Sequence, residues 1–128
     1  MARLTNAQVI EHMTVAEQKA IYRVFGVKPK VKTDVCKMRN FWYYFLNEFT
    51  FKLGDVSVRC RIFRKRYVDA PPTEYYISGL ITYTLDGYHE VGSDIQEVKL
   101  KSPDDDATIE KVLRKAVGKS FGIFNEVH

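Results

Sequence analysis

Few residues in this chain carry the chemistry of catalysis. The three histidines, His12, His89 and His128, are far apart, and none stands with a serine or cysteine in a recognisable nucleophile motif. There is no His-Glu-x-x-His helix, no glycine-rich phosphate loop ending in Lys-Ser/Thr, and no Gly-x-Gly-x-x-Gly after a strand. His89 and Glu90 are the residue types of an acid–base pair, yet neighbouring polar residues on a strand account for them more simply. Cys36 and Cys60 form no Cys-x-x-Cys pair and have no histidine at ligand spacing, so they read as reduced, buried thiols. Asp104, Asp105 and Asp106 lie where a helix N-terminus collects carboxylates, which explains them better than a metal does. On this reading the chain is not an enzyme, and it is assigned no catalytic residue, metal or cofactor.

The positive signal is charge segregation. Between Val56 and Val68 stand five basic residues, Arg59, Arg61, Arg64, Lys65 and Arg66, and no acid. Between Lys19 and Arg39 there are seven basic residues against one acid, Asp34, whereas from Asp86 to Glu110 the balance reverses. The formal net charge of +4 thus hides a basic half and an acidic half. Alternation along the basic stretch sets Val56, Val58, Cys60 and Ile62 on one face of a strand. Arg59, Arg61, Phe63, Lys65 and Tyr67 fall on the other. Cations track a phosphate backbone and rings stack on unpaired bases, a pairing that suits single-stranded nucleic acid. An ordinary solvated strand face would use the same residues.

These residues need elements to position them. Thr5 with Gln8 and Thr14 with Glu17 each have capping-box spacing, so the pattern predicts two short helices in succession, the second stopping at Gly26. Val27 to Thr33 reads as an extended connector around Pro29. Asp34 opens a predicted third helix, with Val35, Met38, Phe41, Trp42, Phe45 and Phe49 at three-to-four spacing. A loop over Asp69–Thr73 and a long alternating strand from Tyr75 to Leu85 follow. Asp86-Gly87 marks a tight hairpin, with a return strand from Tyr88 and a short strand from Ile95 to Leu100. Ser102, Pro103 and Asp105 start the last helix, whose apolar stripe is Ile109, Val112, Leu113, Ala116, Val117 and Phe121, with Gly122 as its stop. The chain reads as one α+β domain over 1–128, with a helical segment at 1–26 and a core at 34–124. N-terminal helices precede an antiparallel meander of three or four strands, which the predicted Trp42 helix and the C-terminal helix cover.

The stretch Tyr75 to Gly92 resembles the central hairpin of the single-strand annealing proteins of homologous recombination, the eukaryotic recombination mediator and its phage relatives. In that family an aromatic strand runs into Leu, Asp-Gly and a Tyr-His-Glu triplet with a glycine soon after, as in Leu85-Asp86-Gly87-Tyr88-His89-Glu90 and Gly92 here. The basic helix that follows in the family is similar to Glu110-Lys111, Leu113 to Ala116 and Ser120-Phe121-Gly122. The likeness spans about residues 56–124. Here the stretch between Gly92 and Pro103 is acidic and the last helix carries a single basic-alanine unit. The resemblance implies a β-β-β-α core that assembles into homo-oligomeric rings or filaments. Single-stranded DNA would lie in a basic groove between the first strand and the last helix, annealing without nucleotide hydrolysis or metal. By position it makes Arg59, Arg61, Lys65, Lys111, Arg114, Lys115 and Lys119 the phosphate contacts. Phe63 and Tyr67 join them from the strand alternation.

The leading expectation is a DNA-binding and strand-annealing protein of recombination or phage replication. A second reading is a viral or phage inhibitor that engages a host protein complex through its sheet. A third takes Thr5 to Phe25 as a helix-turn-helix reading duplex DNA with Gln18, Lys19 and Arg23. No apolar run approaches the ~18 residues of a membrane span, and the first residues lack an export signal. The expected address is the cytoplasm, a host's cytoplasm for a viral source, or the nucleus for a eukaryotic one.

Overall fold

The stripe Val9, Met13, Ala16, Ala20, Ile21 and Val24 recurs at helical spacing without interruption, and it forms one helix, α1 (Asn6–Phe25). In this computed structural model, residues 6–39, 42–70, 74–85, 87, 89–100, 102 and 105–127 are described, with side chains excepted at 6, 35–39, 89 and 119–127. The two helices expected before Gly26 are thus one, and the helix-turn-helix is not formed. Thr14 does not cap a new helix, because its hydroxyl donates back to the Ile10 carbonyl at 2.8 Å, a bond made inside a continuous helix. Gly26 does end it, with φ of +73° and its N–H on the Tyr22 carbonyl at 2.8 Å.

Five strands follow in a plain antiparallel meander, β1 (Lys30–Arg39), β2 (Trp42–Leu53), β3 (Val56–Tyr67), β4 (Tyr75–Leu85) and β5 (His89–Leu100), and α2 (Asp106–Val127) closes the fold. The expected α+β class is present, with five strands in place of three or four. The added strands are β1 and β2, which replace the helix expected from Asp34. Aromatic residues on both faces near the start of β2 blur its period of two. The burial of Phe45, Asn47 and Phe49 restores that period. The return strand and the short strand after it are one strand, β5, whose pairing with β4 shifts between Ile77 and Gly79. At α2 the cap is Asp105, not Ser102. The Asp105 carboxylate accepts from the Thr108 N–H at 3.2 Å and the Thr108 hydroxyl at 2.8 Å. The helix backbone continues past Gly122 to Val127.

Both helices cover one face of the sheet, where the predicted Trp42 helix was expected beside α2. Ala16, Ala20 and Ile21 of α1 and Ile109, Leu113 and Ala116 of α2 share a core with Phe49, Val58, Cys60, Ile62, Ile77, Ile81, Tyr83, Ile95 and Leu100. Val9 and Met13 extend it over Phe45 and Tyr75. Arg23 joins the helices, reaching Asp106 at 3.1 Å and Glu110 at 3.7 Å. Gly79 sits where β3 approaches too closely for a side chain, since a Cβ there would lie 1.9 Å from the Arg61 carbonyl oxygen.

Inside this core lies an ion pair. Glu17 of α1 and Arg64 of β3 are both fully buried, with Arg64 Nε donating to Glu17 Oε2 at 2.5 Å. Asn47 Nδ2 donates to the other Glu17 oxygen at 3.2 Å and to Thr14 Oγ1 at 3.1 Å, and its own oxygen accepts from Thr33. One network therefore ties α1 to β1, β2 and β3. Burial pushes the Glu17 carboxyl above the usual carboxylate range, and Arg64 and Asn47 pull it back only in part. Burial, with a smaller push from Glu17, also holds the Cys60 thiol far above its ordinary value, so it stays protonated and inert.

Removing one partner of such a pair leaves a buried, uncompensated charge. Arg64→Met is expected to cost about 3–5 kcal/mol in urea denaturation at neutral pH. Without its cation, Glu17 would titrate at still higher pH. Its penalty is fully present above that folded-state value and fades as pH falls towards the unfolded value, so the loss should shrink on mild acidification. A loss that does not change with pH would contradict this. Gly79→Ala should cost about 1–3 kcal/mol, read as a lowered thermal midpoint, because the clashing atom is backbone and cannot swing away.

Candidate functional site

The alternation of β3 divides its side chains between the two faces. Val58, Cys60, Ile62 and Arg64 are buried under the helices, and Arg59, Arg61, Phe63, Lys65 and Tyr67 point to the other face. Among the described residues, no element covers that second face. The five strand residues of the expected site are therefore together, in one row of one strand.

Register supplies their neighbours. On β2, Trp42, Tyr44, Leu46, Glu48 and Thr50 lie opposite Tyr67, Lys65, Phe63, Arg61 and Arg59. On β4, Tyr76, Ser78, Leu80 and Thr82 lie opposite Lys65, Phe63, Arg61 and Arg59. One end of the open face is consequently a cluster of rings. Trp42 stacks on Tyr67 with centroids 3.4 Å apart, Tyr44 meets Phe63 edge-on at 5.9 Å, and Tyr76 meets Tyr67 at 6.4 Å. Phe63 and Tyr67 each keep 40% of their surface exposed. The Lys65 ammonium lies 4.7 Å from the centre of the Trp42 ring.

The cations differ in how they are held. Arg59 pairs with Glu48 at 3.0 Å, and Lys65 with Glu97 at 2.9 Å. The bond to Glu97 raises the Lys65 pKa, so this ammonium stays charged. Arg61 has no ion pair among the described residues, and its Nε is buried without a hydrogen-bond partner. Lys30 and Lys32 on β1 extend the row of charge beyond β2, pairing in register with Thr50 and Glu48. The acidic half of the sequence joins the same face. Glu90 and Asp94 pair in register with Thr84 and Leu80, and Glu97 reaches in to Lys65. The open face thus grades from a basic β1 edge to an acidic β5 edge.

The helix residues expected in this site are elsewhere. Because α2 packs on the covered face, Lys111, Arg114 and Lys115 cannot line one groove with Arg59 and Arg61. Lys111 is exposed on the helix layer. Arg114 pairs with Glu110 at 3.2 Å and donates to the Arg23 carbonyl at 3.3 Å. Lys115 donates to Gln96 of β5 at 2.9 Å. The Lys119 side chain lies outside the described residues, as do those of His89, His128 and Cys36. Of the seven basic positions carried by the resemblance, three share the open face and three do not. Sequence reasoning missed Trp42, Tyr44 and Tyr76, since two of these rings were assigned to a helix. The alternation of inward Phe45, Asn47 and Phe49 was the signal that could have found them.

No protein-family model matches the chain, and neither a curated protein sequence nor a solved structure is significantly similar to it. No described helix is long and apolar enough to cross a membrane.

Trp42 is the chain's one tryptophan, so its emission reports on this face alone. Tyr67→Ala should uncover the indole and shift its emission to longer wavelength without changing the far-ultraviolet circular dichroism. An unchanged emission maximum would show that the stack does not shield Trp42 in solution.

Proposed function

We propose that this protein binds single-stranded nucleic acid on the open face of its sheet, DNA being the substrate and annealing the activity that the sequence resemblance adds. One observation carries the reading. Phe63 and Tyr67 are large rings left 40% exposed on a helix-free sheet face, beside Trp42, Tyr44 and Tyr76 and interleaved with Arg59, Arg61 and Lys65. Rings of this kind stack on bases of any identity, each stacked base being worth about 1–3 kcal/mol. Cations along the same strand suit the phosphates between those bases. A duplex hides its base faces and would forfeit the stacking, so the expected preference is for the single strand.

The helix cations are no part of the proposed surface. Arg114 and Lys115 have partners within the chain, and Lys111 lies on the far side of the sheet.

Fluorescence anisotropy with a labelled single strand should give binding that weakens steeply with salt, with a slope of about −0.7 per phosphate neutralised. Arg59→Glu with Arg61→Glu should weaken binding more than about tenfold and flatten the salt slope. Lys111→Glu should leave both nearly unchanged. Equal losses from the strand and helix variants would move the site off the sheet. No binding at low salt, with a protein complex that survives high salt, would favour a protein partner for this face.

A further inference from the structure

At the end of the open face away from the rings, register brings a different chemistry together. Lys30, Thr50, Arg59 and Thr82 form one row across β1, β2, β3 and β4, and the row meets Gly92 on β5. Lys52, Ser57 and Thr84 form the next row, ending at Glu90. With Lys28, all of these but Gly92 help to line a groove of about 580 Å³. Three cations in the strands and four hydroxyls stand there, beside the apolar Val27, Phe51 and Val58. Gly92 places no side chain at the end of its row, and Thr82 beside it is largely buried in the groove wall.

Ammonium, guanidinium and hydroxyl donors converging on one groove are the donor set of a phosphate site. The volume is that of a small-molecule site, larger than a lone phosphate needs. The charge narrows the ligand further. Lys28, Lys30, Lys52 and Arg59 face two carboxylates, Glu90 in the lining and Glu48 on Arg59 at 3.0 Å. About two positive charges are left over. A phosphodiester carries a single negative charge, whereas a phosphomonoester carries about −1.5 to −2 at neutral pH.

We infer that this groove binds a phosphomonoester, either the phosphorylated end of a nucleic-acid strand or a nucleoside monophosphate. The inference deepens the single-strand reading and rests on it for the first of those two sources. Arg59 stands four residues from Phe63, roughly 13 Å along β3. A strand anchored by its terminal phosphate in the groove therefore has its first bases within reach of the rings.

The test compares oligonucleotides of one sequence with a 5′-phosphate, a 3′-phosphate or only hydroxyl ends, and titrates a nucleoside monophosphate alone by NMR. One phosphorylated end should tighten binding about tenfold, the gain from a few charge-assisted hydrogen bonds. Lys52→Ala with Thr82→Val should remove that gain and leave the hydroxyl-ended strand bound as before. A nucleoside monophosphate that shifts Lys52, Thr82 and Thr84, with no gain from either strand end, supports the groove and assigns it a free nucleotide. If hydroxyl-ended strands bind, but phosphorylation changes nothing and the monophosphate shifts nothing, the groove assignment falls and the single-strand reading stands. If the monophosphate binds and no strand does, the reverse holds.

Discussion

Two charges without access to solvent, Glu17 on α1 and Arg64 on β3, decide which way the sheet faces. A strand has only two faces, and a slip of one residue exchanges them. Arg64 can be buried only where Glu17 meets it, so the even-numbered side of β3 lies under α1. Its odd-numbered side, from Arg59 to Tyr67, is thereby turned outward. The pair is costly, since two ions leave water and Arg64 Nη1 and Nη2 are buried without partners. Its return is in register, because Asn47 extends the same constraint through β2 to Thr33 of β1. Misregister at either strand would strand a charge in the core.

That constraint links the core to the surface. Once β3 is set, antiparallel pairing aligns Trp42 and Tyr44 with Tyr67 and Lys65, and Thr50 and Thr82 with Arg59. The rings gather at one end of the open face and the hydroxyls with their cations at the other. Both helices lie on the opposite side, and among the described residues no element covers this one. The same arrangement removes α2 from the site that the sequence resemblance implied and leaves β2 to complete it.

Much of this was legible in the sequence, and the remainder was hidden for definite reasons. The alternation of β3 from Val58 to Tyr67 placed all five of its site residues on one face, and the structure has them there. The extended β4, the Gly26 stop and the apolar stripe of α2 through Ala116 are where the patterns set them. The failure was between Asp34 and Phe49, where rings occupy both faces of β2 and fit a helical stripe as well as a strand. Only tertiary pairing with β3 settles the choice. Arg64 was hidden differently. In the run Arg64-Lys65-Arg66 every residue looks solvated, and nothing local marks one of them as the partner of Glu17, which is 47 residues away. Charge segregation was visible along the chain, but not that β5 folds its acids onto the same face as the basic strand.

The proposed nucleic-acid surface is one face of one sheet. It is tested most directly by lysine acetylation, read by mass spectrometry with and without a saturating single-stranded oligonucleotide. Lys30 and Lys65 on the open face should be protected, with Lys19 and Lys111 on the helix layer labelled as in the free protein. Protection of the helix lysines with the sheet lysines unchanged would contradict it.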